Sequence, residues 1–339
     1  MTSVSLFTWS SAVKSVLKYS LPFAILFASS LSAAENDLPT VCLVFAGDIM
    51  LDDGPGKEVA KGVDPFLDFA STLTDADFTI GNLECVIARS GTKVEKPYNF
   101  RADTRCIPLL SRYFDAVCVA NNHSGDFGPE ALVEQCQHLE QANLRYFGGG
   151  RNLAEAHRPL IIETHGLRIA VLGYNEFKPR AFEAGESRAG VAWSEDEHVL
   201  RDIQLARTQY KADLVIPFMH WGYEVQPEPN DRQRDFSRVM IDAGADVVVG
   251  GHPHITQGAE YYKGHLIVYS LGNFVFDSFD EGPCRSGWLL RLTLNKQGLV
   301  EWDTRVAHAD EQGIPHPLPG AKSPRGQAGQ SVIEMHAAD

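Results

Sequence analysis

The sequence predicts an α/β protein in which a largely buried sheet alternates with helices. Two observations favour this class: short apolar runs rich in β-branched residues recur along the chain, and amphipathic helical patterns lie between several of them. The runs cover residues 41–46, 78–80, 116–120, 169–172, 214–218, 247–249 and 266–269. Each run has the length of a buried strand, so we expect strands that are covered by helices on their faces.

Helices are predicted where apolar residues recur at helical spacing. Two such faces consist of Leu132, Cys136, Leu139 and Ala142, and of Val199, Ile203, Ala206 and Tyr210. Ser194 and Glu197 have the spacing of a capping box, so the second helix is expected to begin there. A third helix is predicted over residues 235–243, because Gly244 is the residue type preferred just after a helix end.

Residues 1–34 are predicted to be a secretory signal. They contain Lys14 and Lys18 but no acidic residue, followed by an apolar run over 21–27 and small residues before Glu35. The alternative is an uncleaved anchor, but the run is well short of the ~20 apolar residues of a membrane-spanning helix. We therefore expect an exported protein that is periplasmic or associated with the cell envelope.

The length and composition limit the number of domains and the kinds of partner. Residues 35–310 are long enough for one large domain, and residues 311–339 are predicted to be a flexible tail because they lack periodicity. The formal net charge of −14 at pH 7 argues against nucleic acid as a partner, since such binding needs a basic surface. The six cysteines include no Cys-x-x-Cys pair, so neither a zinc ribbon nor a redox pair is indicated.

Polar side chains follow the predicted strands at the points where the strands end. The residues in these positions are Asp48, Asn82, Glu84, Asn122, His123, Asn175, His220, His252, His254 and Asn273. In α/β sheets the loops at the carboxyl ends of the strands meet at one edge, so these side chains are expected to converge. Each alone has an ordinary alternative as a turn former or a structural histidine, but their shared placement favours a site.

The chemistry of these side chains points to a metal. Imidazole nitrogen together with carboxylate and amide oxygen suits Zn, Mn or Fe better than Ca or Mg, which prefer oxygen ligands alone. His252 and His254 are two residues apart, so both side chains can point to the same side of an extended segment. The sequence therefore predicts a centre that holds one or two divalent ions.

Six segments carry a family resemblance. They are FAGDIML at 45–51, GNLE at 81–84, ANNHSGDFG at 120–128, MHWGYE at 219–224, GGHPH at 250–254 and YSLGNFVFD at 269–277. In content and order they resemble the bacterial poly-γ-glutamate capsule synthesis family, CapA, over residues 41–277. That family is similar in fold to the calcineurin-like metallophosphoesterases, which implies a four-layer α-β-β-α sandwich.

The resemblance also implies roles for individual residues. The family's metal motifs match Asp48, Asn122, His220, His252 and His254. His123 follows directly after a ligand of this motif and is implied as the general acid or base.

Two positions depart from the phosphoesterase pattern. Met50 stands where a histidine is usual, and Asn82 stands where a bridging aspartate is usual. Glu84 is the nearest carboxylate, so the expectations are one tightly bound ion, or two ions with Glu84 as the bridging ligand. Asn82, Asn175 and Asn273 are further candidates, for binding substrate at the same edge of the sheet.

Two functions follow from the resemblance. The first is a metal-dependent hydrolase that acts on a phosphoester or an acidic polymer such as poly-γ-glutamate. The second is a non-catalytic metal-binding component that binds or helps export such a polymer, with membrane proteins of capsule assembly as partners. Loop residues that can contact polymer in the second case are Lys96, Tyr98, Asn99 and Arg101, although an ordinary solvated loop is the alternative.

Overall fold

The computed structural model describes residues 38–277 and 282–328. The predicted secretory signal at 1–34 lies outside the described residues, as do tail residues 329–339. Within the described ranges, no helix combines the length and the apolar character that a membrane span requires.

The strands are numbered in chain order. They are β1 (Val41–Ile49), β2 (Phe78–Leu83), β3 (Val86–Ile87), β4 (Arg101–Ala102), β5 (Ala116–Cys118), β6 (Arg145–Phe147), β7 (Gly149–Gly150), β8 (Leu160–Thr164), β9 (Leu167–Asn175), β10 (Gly190–Val191), β11 (Leu214–His220), β12 (Val247–Gly251), β13 (Thr256–Tyr262), β14 (His265–Leu271), β15 (Asn273–Val275), β16 (Ser286–Asn295), β17 (Gly298–Ala309), β18 (Pro315–Pro317) and β19 (Arg325–Gln327). Six of the seven apolar runs lie within β1, β2, β9, β11, β12 and β14, and the run at 116–120 begins with β5 and extends two residues past its end, so all seven are confirmed as strand positions.

The α-helices of the same residues are fewer. They are α1 (Asp53–Ala60), α2 (Ala70–Thr74), α3 (Ile107–Tyr113), α4 (Pro129–Gln141), α5 (Leu153–Ala156), α6 (Asp196–Thr208) and α7 (Asp231–Asp242). The three helices that the periodicity predicts are α4, α6 and α7.

Two large sheets organise the fold. The first has the order β18-β17-β16-β1-β2-β5-β6, with β15 added beside β1 and β19 beside β17. The second has the order β13-β14-β12-β11-β9-β8. In the first sheet, β1, β2, β5 and β6 run parallel up to one edge, and antiparallel strands extend the sheet on the other side of β1. In the second sheet, parallel strands occupy the centre and antiparallel strands form both edges. Buried parallel strands of this kind need cover on both faces.

The main hydrophobic core lies between the two sheets. In β1, Val41, Leu43 and Phe45 belong to this core, whereas Val44 and Ala46 belong to the core on the other face of the sheet. This alternation is the period of two that a strand imposes. Strands β9, β11, β12 and β14 contribute to the same central core from the second sheet.

Helices cover the outer face of each sheet. Leu110 of α3 and Leu139 of α4 pack on the first sheet. Val199 of α6 and Phe236 of α7 pack on the second sheet. The result is the four-layer α-β-β-α sandwich that the sequence resemblance implied.

The predicted helix starts differ from the observed ones. The expected capping box at Ser194 is wrong, because its hydroxyl lies 3.1 Å from a carboxylate oxygen of Glu176 and makes no cap contact. A capping box is present instead in α7, where Asn230 and Gln233 satisfy each other's backbone groups. Helix α7 therefore begins four residues before the predicted start at 235.

The carboxyl-terminal region is more ordered than expected. Strands β16 and β17 form a long antiparallel pair that the sequence reading missed. Strands β18 and β19 then pair with β17, so the structure differs from the predicted flexible tail over residues 311–328. The physical reason is that an edge strand offers unpaired backbone groups, which even short segments containing proline and glycine can satisfy.

The close approach of β1 to the β14–β15 turn gives a first testable prediction. A Cβ atom at Gly47 would lie 2.0 Å from the carbonyl oxygen of Gly272, and the neighbouring amide of Asp48 donates to that oxygen at 3.0 Å. We expect Gly47→Ala to lower the free energy of unfolding by about 1–3 kcal/mol, as overpacking does. Urea denaturation measures the change. Gly282→Ala is the control, since no atom that the structure describes lies within 4 Å of that added Cβ.

Candidate metal centre

The register of the first sheet places three of the expected site residues side by side. Asp48 at the end of β1 is paired with Asn82 of β2 on one side and with Asn273 of β15 on the other. All three side chains are buried. The sheet therefore presents one carboxylate between two amides at the carboxyl ends of its strands.

The second sheet brings the histidines to the same place. His220 ends β11, where it is paired with Asn175 of β9 and Gly251 of β12. His252 and His254 follow directly, with backbone φ angles of 95° and 59°. Residues other than glycine rarely adopt such angles, and they cluster at functional sites when they do.

One group of ligand atoms converges around His220. Its Nε2 atom lies 2.7 Å from Asn122 Oδ1 and 3.1 Å from His252 Nδ1. Oε1 of Glu84 lies 3.4 Å from the same nitrogen. Two imidazoles, an amide oxygen and a carboxylate thus meet around a single point, which is a suitable ligand set for Zn, Mn or Fe.

A second group surrounds Asp48 and shares Glu84 with the first. Oδ2 of Asp48 lies 3.4 Å from His254 Nδ1, and Oε1 of Glu84 lies 3.8 Å from His254 Nε2. Glu84 therefore contacts both groups through the same oxygen. Glu84 thus lies where a bridging carboxylate is expected. The usual bridging aspartate is replaced by Asn82 in this sequence.

The two carboxyl groups lie in a buried environment that disfavours their charged forms. Glu84 is fully buried, and neither of its oxygens has a hydrogen-bond partner among the described residues. Burial raises the pKa of Glu84 well above its usual value, and it raises the pKa of Asp48 to about 8, with further help from the charge of Glu84. A buried carboxylate without partners is costly unless it coordinates a cation, so the residues present fit a divalent metal ion.

The histidines are suited to the same role. Burial lowers the pKa of His220 to about 4 and that of His254 to about 3, and it lowers the pKa of His252 well below the usual value. All three rings are therefore neutral near pH 7. A neutral imidazole has the lone pair that a metal ligand needs.

The raised carboxyl pKa values predict that metal binding releases protons. Below about pH 8, Asp48 holds a proton that a bound cation must displace, so the apparent affinity for Mn²⁺ should rise with pH. We expect an increase of up to about tenfold per pH unit for each proton released, ending near pH 8. Titration calorimetry in buffers with different ionisation enthalpies counts the protons. An affinity that is constant from pH 6 to 8 would contradict this assignment.

Two of the asparagines that we expected to bind substrate contact the candidate metal ligands. The Nδ2 atom of Asn82 donates to Asp48 Oδ1 at 2.8 Å and lies 3.2 Å from His220 Nδ1. Oδ1 of Asn273 lies 2.8 Å from His254 Nδ1, while its amide group donates to the carbonyl oxygen of Cys284. Both side chains are buried, and their polar atoms are already engaged by the protein.

The third expected substrate ligand, Asn175, closes a local turn. Its side chain accepts a hydrogen bond from the amide of Phe177 at 3.1 Å and donates to the carbonyl oxygen of Phe177 at 2.9 Å. The turn brings the ring of Phe177 to 3.9 Å from the ring of His252, measured between centroids. Asn175 therefore influences the centre through Phe177.

His123 lies beside the ligands in a hydrogen-bonded group of its own. Its Nδ1 atom is 2.7 Å from Asp126 Oδ2. The ammonium group of Lys96 lies 2.5 Å from Asp126 Oδ1 and donates to the carbonyl oxygen of Asn122 at 2.7 Å. The ring of His123 also packs on Phe100, with centroids 4.4 Å apart.

The loop that precedes His123 has a more specific structure than an ordinary solvated loop. Lys96 is mostly buried, and Asn99 donates to the carbonyl oxygens of Val94 and Asp126. The guanidinium of Arg101 stacks 3.6 Å from the ring centre of Phe127. Only Tyr98 among the four loop candidates is exposed, at 66%.

Other neighbours of the centre gave weak sequence signals. Met50, at the position of the missing histidine, is fully buried, and its sulfur accepts a hydrogen bond from the amide of Asp52 at 3.1 Å. Asp126 is three residues after His123, and this short spacing is the feature of the sequence that indicates a contact between the two side chains. Glu224 ends the family motif at 219–224, but it does not directly follow a strand, so the sequence did not indicate it as a ligand.

The fold defines the structural class of the protein. The two-sheet sandwich, with candidate Asp, Asn and His ligands at the carboxyl ends of its strands, is the metallophosphoesterase-like fold that the sequence resemblance implied. The crystal structure of a 5'-nucleotidase precursor from Thermus thermophilus is similar, with a TM-score of 0.50 and 14% sequence identity. The match covers 82% of this chain and 56% of that one, and it supports the fold alone.

Sequence comparison narrows the class to a family. The profile described as Bacterial capsule synthesis protein PGA_cap matches residues 42–278. The PGA biosynthesis protein CapA of Bacillus subtilis (strain 168) is 33% identical over 260 residues, which cover 75% of this chain and 68% of that protein. The capsule biosynthesis protein CapA of Bacillus anthracis is 31% identical over 307 residues, covering 85% and 71%. The chain belongs to this bacterial capsule synthesis family.

Proposed function

We propose that the protein is an exported, metal-dependent hydrolase that acts in the biosynthesis of poly-γ-glutamate or of another cell-envelope polymer. The family supports the biological setting. The proposal of metal-dependent hydrolysis rests on the buried Glu84 carboxylate. This carboxylate lacks a hydrogen-bond partner among the described residues, and it lies between two groups of nitrogen and oxygen ligands. A centre of this kind is poorly explained by stability, because it costs free energy in the absence of a cation.

The metal ligands in this proposal are Asp48, Glu84, Asn122, His220, His252 and His254. When bound there, a divalent ion supplies a water of lowered pKa and polarises the oxygen of the bond to be cleaved. Asn82 and Asn273 orient the ligands from behind. Such supporting residues fix the ring orientation and the protonated nitrogen of a ligand histidine.

His123 is proposed to move the proton. Asp126 Oδ2 accepts the hydrogen of His123 Nδ1, so Nε2 is the nitrogen that exchanges a proton with the reacting groups. Burial lowers the pKa of His123 to about 4, which leaves the ring neutral at pH 7 and able to accept a proton at Nε2. Lys96 neutralises Asp126 and fixes the orientation of the pair. The same ring can return the proton to the leaving group.

The substrate is proposed to be anionic, either a phosphoester or an acidic polymer. The chain carries a net charge of −14, so an anion needs local positive charge in order to approach. A bound divalent ion supplies this charge, since the charge of Lys96 is already neutralised by Asp126. The rings of Phe177 and Phe182 line the same region and reduce access of water, since Phe177 packs on His252 and Phe182 lies under Lys96.

The test combines elemental analysis of the purified protein with two assays. We expect Mn, Zn or Fe to copurify or to be restored by dialysis, and we expect the loaded protein to hydrolyse a generic phosphoester or poly-γ-glutamate. Chelation should remove the activity, and addition of the ion should restore it. A protein that cannot be loaded with any divalent ion would overturn the metal centre, and with it this function.

A second function is favoured by two specific residues. Met50 and Asn82 replace an imidazole and a bridging carboxylate, which weakens the case for catalysis more than the case for metal binding. In this alternative the protein binds or helps export an acidic capsular polymer and interacts with membrane proteins of capsule assembly. Metal-dependent binding of poly-γ-glutamate without any hydrolysis of it, or of a phosphoester, would favour this role.

A further inference from the structure

Glu224 places a carboxylate on the solvent side of the centre. One of its oxygens and one ring nitrogen each of His252 and His254 lie within 4.8 Å of one another. The two histidines are buried, whereas Glu224 is exposed. A substrate group that reaches the metal ligands from solvent therefore comes close to this carboxylate.

The backbone holds Glu224 in this place. The amide of Val225 donates to the carbonyl oxygen of Pro253 at 2.9 Å, which ties the loop after β11 to the turn between His252 and His254. Val225 has a φ of 58°, which is a strained conformation for a β-branched residue. Such strain persists only when the surrounding contacts impose it. The position of Glu224 is thus fixed by the fold.

The oxygens of Glu224 are available to a ligand, and their charge is not neutralised. Glu224 forms no hydrogen bond or ion pair with another residue of 38–277 or 282–328. The neighbouring cation, Lys96, is already engaged by Asp126 at 2.5 Å and by the carbonyl oxygen of Asn122 at 2.7 Å. Burial raises the pKa of Glu84, and the charge of Glu224 adds to that effect. The field of the Glu224 carboxylate therefore extends into the centre.

A negative charge at this position distinguishes the two substrate classes of the proposed function. A phosphoester brings its own negative charge to the metal ligands, and like charges repel each other at short distance. It also has no hydrogen-bond donor at the bond to be cleaved. An amide linkage is neutral, and its N–H group can donate a charge-assisted hydrogen bond to a carboxylate.

We propose that Glu224 determines specificity by selecting an amide linkage, such as that of poly-γ-glutamate, over a phosphoester. Its carboxylate accepts a hydrogen bond from the N–H group of the linkage, while the carbonyl group of the linkage lies toward the metal ligands. This inference rests on the metal centre of the proposed function and names the substrate class of that site.

The amide reaction is balanced with the residues already assigned. Water supplies an oxygen to the carbonyl carbon, and His123 accepts a proton from that water. The C–N bond then breaks, and His123 returns the proton to the leaving nitrogen. The products are a carboxylate and an ammonium group, which together contain the atoms of one water molecule. Glu224 keeps its charge throughout and acts only as the acceptor that positions the N–H group.

The experiment measures binding, so that it does not depend on turnover. Protein loaded with Mn²⁺ and carrying His123→Ala, which slows cleavage during the titration, is titrated by calorimetry with inorganic phosphate and with tetra-γ-glutamate. We expect the additional change Glu224→Gln to weaken tetra-γ-glutamate by about tenfold or more, since a hydrogen bond to a charged group is lost. Phosphate should bind at least about twofold more tightly, because a like charge is removed. Elemental analysis of the same samples should show unchanged metal content.

Glu95→Gln is the matched control in the same background. It removes one exposed negative charge from the loop that carries Lys96, and Glu95 belongs to none of the groups of metal ligands in the described residues. Both affinities should stay unchanged. Thermal unfolding of each variant verifies that it is folded.

The outcomes separate this inference from the proposed function. Equal affinities for both ligands with and without Glu224→Gln would overturn the selection of an amide. Loss of the ion in Glu224→Gln would also overturn it, because Glu224 would then be a metal ligand. Failure of the unaltered, metal-loaded protein to hydrolyse either substrate would overturn the proposed hydrolase, whereas the two affinities would still decide whether Glu224 selects the amide.

Discussion

Replacing Glu84 by glutamine is expected to abolish tight metal binding and, at the same time, to make the metal-free protein more stable. The glutamine has the same shape but no charge, so it removes the cost of burying a carboxylate that lacks hydrogen-bond partners among the described residues. An unpaired buried charge costs more than a neutral polar group, so we expect the metal-free variant to gain about 1–3 kcal/mol of stability at pH 8. The gain should shrink toward pH 5, because the raised pKa of Glu84 allows the carboxyl group to be neutral there.

The measurement is urea denaturation of the metal-free protein and of the metal-loaded protein, for both sequences. Added ion should stabilise the unaltered protein and have little effect on Glu84→Gln, since a ligand that binds the folded state stabilises it in proportion to its affinity. A loss of stability in the metal-free variant would show that Glu84 has partners in the protein and is not a ligand held ready for a cation.

Asp202 provides the matched control for this substitution. It is also a buried carboxylate, but its oxygens are engaged by His157, Tyr174 and Arg201. We expect Asp202→Asn to destabilise the protein by about 3–5 kcal/mol, as the breaking of a buried pair does, with metal binding unchanged. If the two substitutions change the free energy of unfolding in opposite directions, Glu84 is distinguished as a metal ligand from Asp202 as a structural group.

The layout of the centre could be predicted from the sequence because it depends on parallel strands. Asp48, Asn122, His220, His252 and His254 all stand at or just after strand ends, and such ends share one edge of a sheet. The structure brings these side chains together. The apolar runs were equally informative, since buried parallel strands leave a continuous hydrophobic signature.

Contacts between distant loops could not be predicted in this way. Lys96 reaches Asp126 from a loop without regular structure, and Glu224 is held by the amide of Val225. No periodicity connects these positions. The antiparallel pair β16–β17 was missed because its residues alternate with polar side chains and follow no helix that would mark a crossover.

The asparagines show a further limit of sequence reasoning. Their residue type indicated a polar site, but type does not reveal which atoms remain available. The side-chain amide of Asn82 donates to Asp48, and that of Asn273 donates to the carbonyl oxygen of Cys284. Only coordinates distinguish an amide that faces substrate from one that supports a ligand.

His123→Ala is expected to lower the rate of hydrolysis by about 10²- to 10⁴-fold with the metal content unchanged. The reason for the rate effect is the loss of proton transfer at Nε2, which is typically worth that much. The metal should stay because none of the groups of metal ligands in the described residues includes His123. Rates are measured with saturating ion, on the substrate that the unaltered protein cleaves, and metal content is measured by elemental analysis of the same samples.

The control is His138→Ala, which removes a partly exposed histidine of α4 that pairs with Glu134 and lies outside the groups of ligands. We expect it to change neither rate nor metal content. Loss of the ion in His123→Ala would make His123 a ligand, and Nε2 would then be occupied by the metal. Full activity would show that another group transfers the proton, and absence of activity in every variant would leave polymer binding as the role of the centre. Asp126 fixes the proton on Nδ1 of His123, so Nε2 is the atom that the substitution removes from proton transfer. Added imidazole should partly restore the rate of His123→Ala if the loss of this proton transfer is the cause.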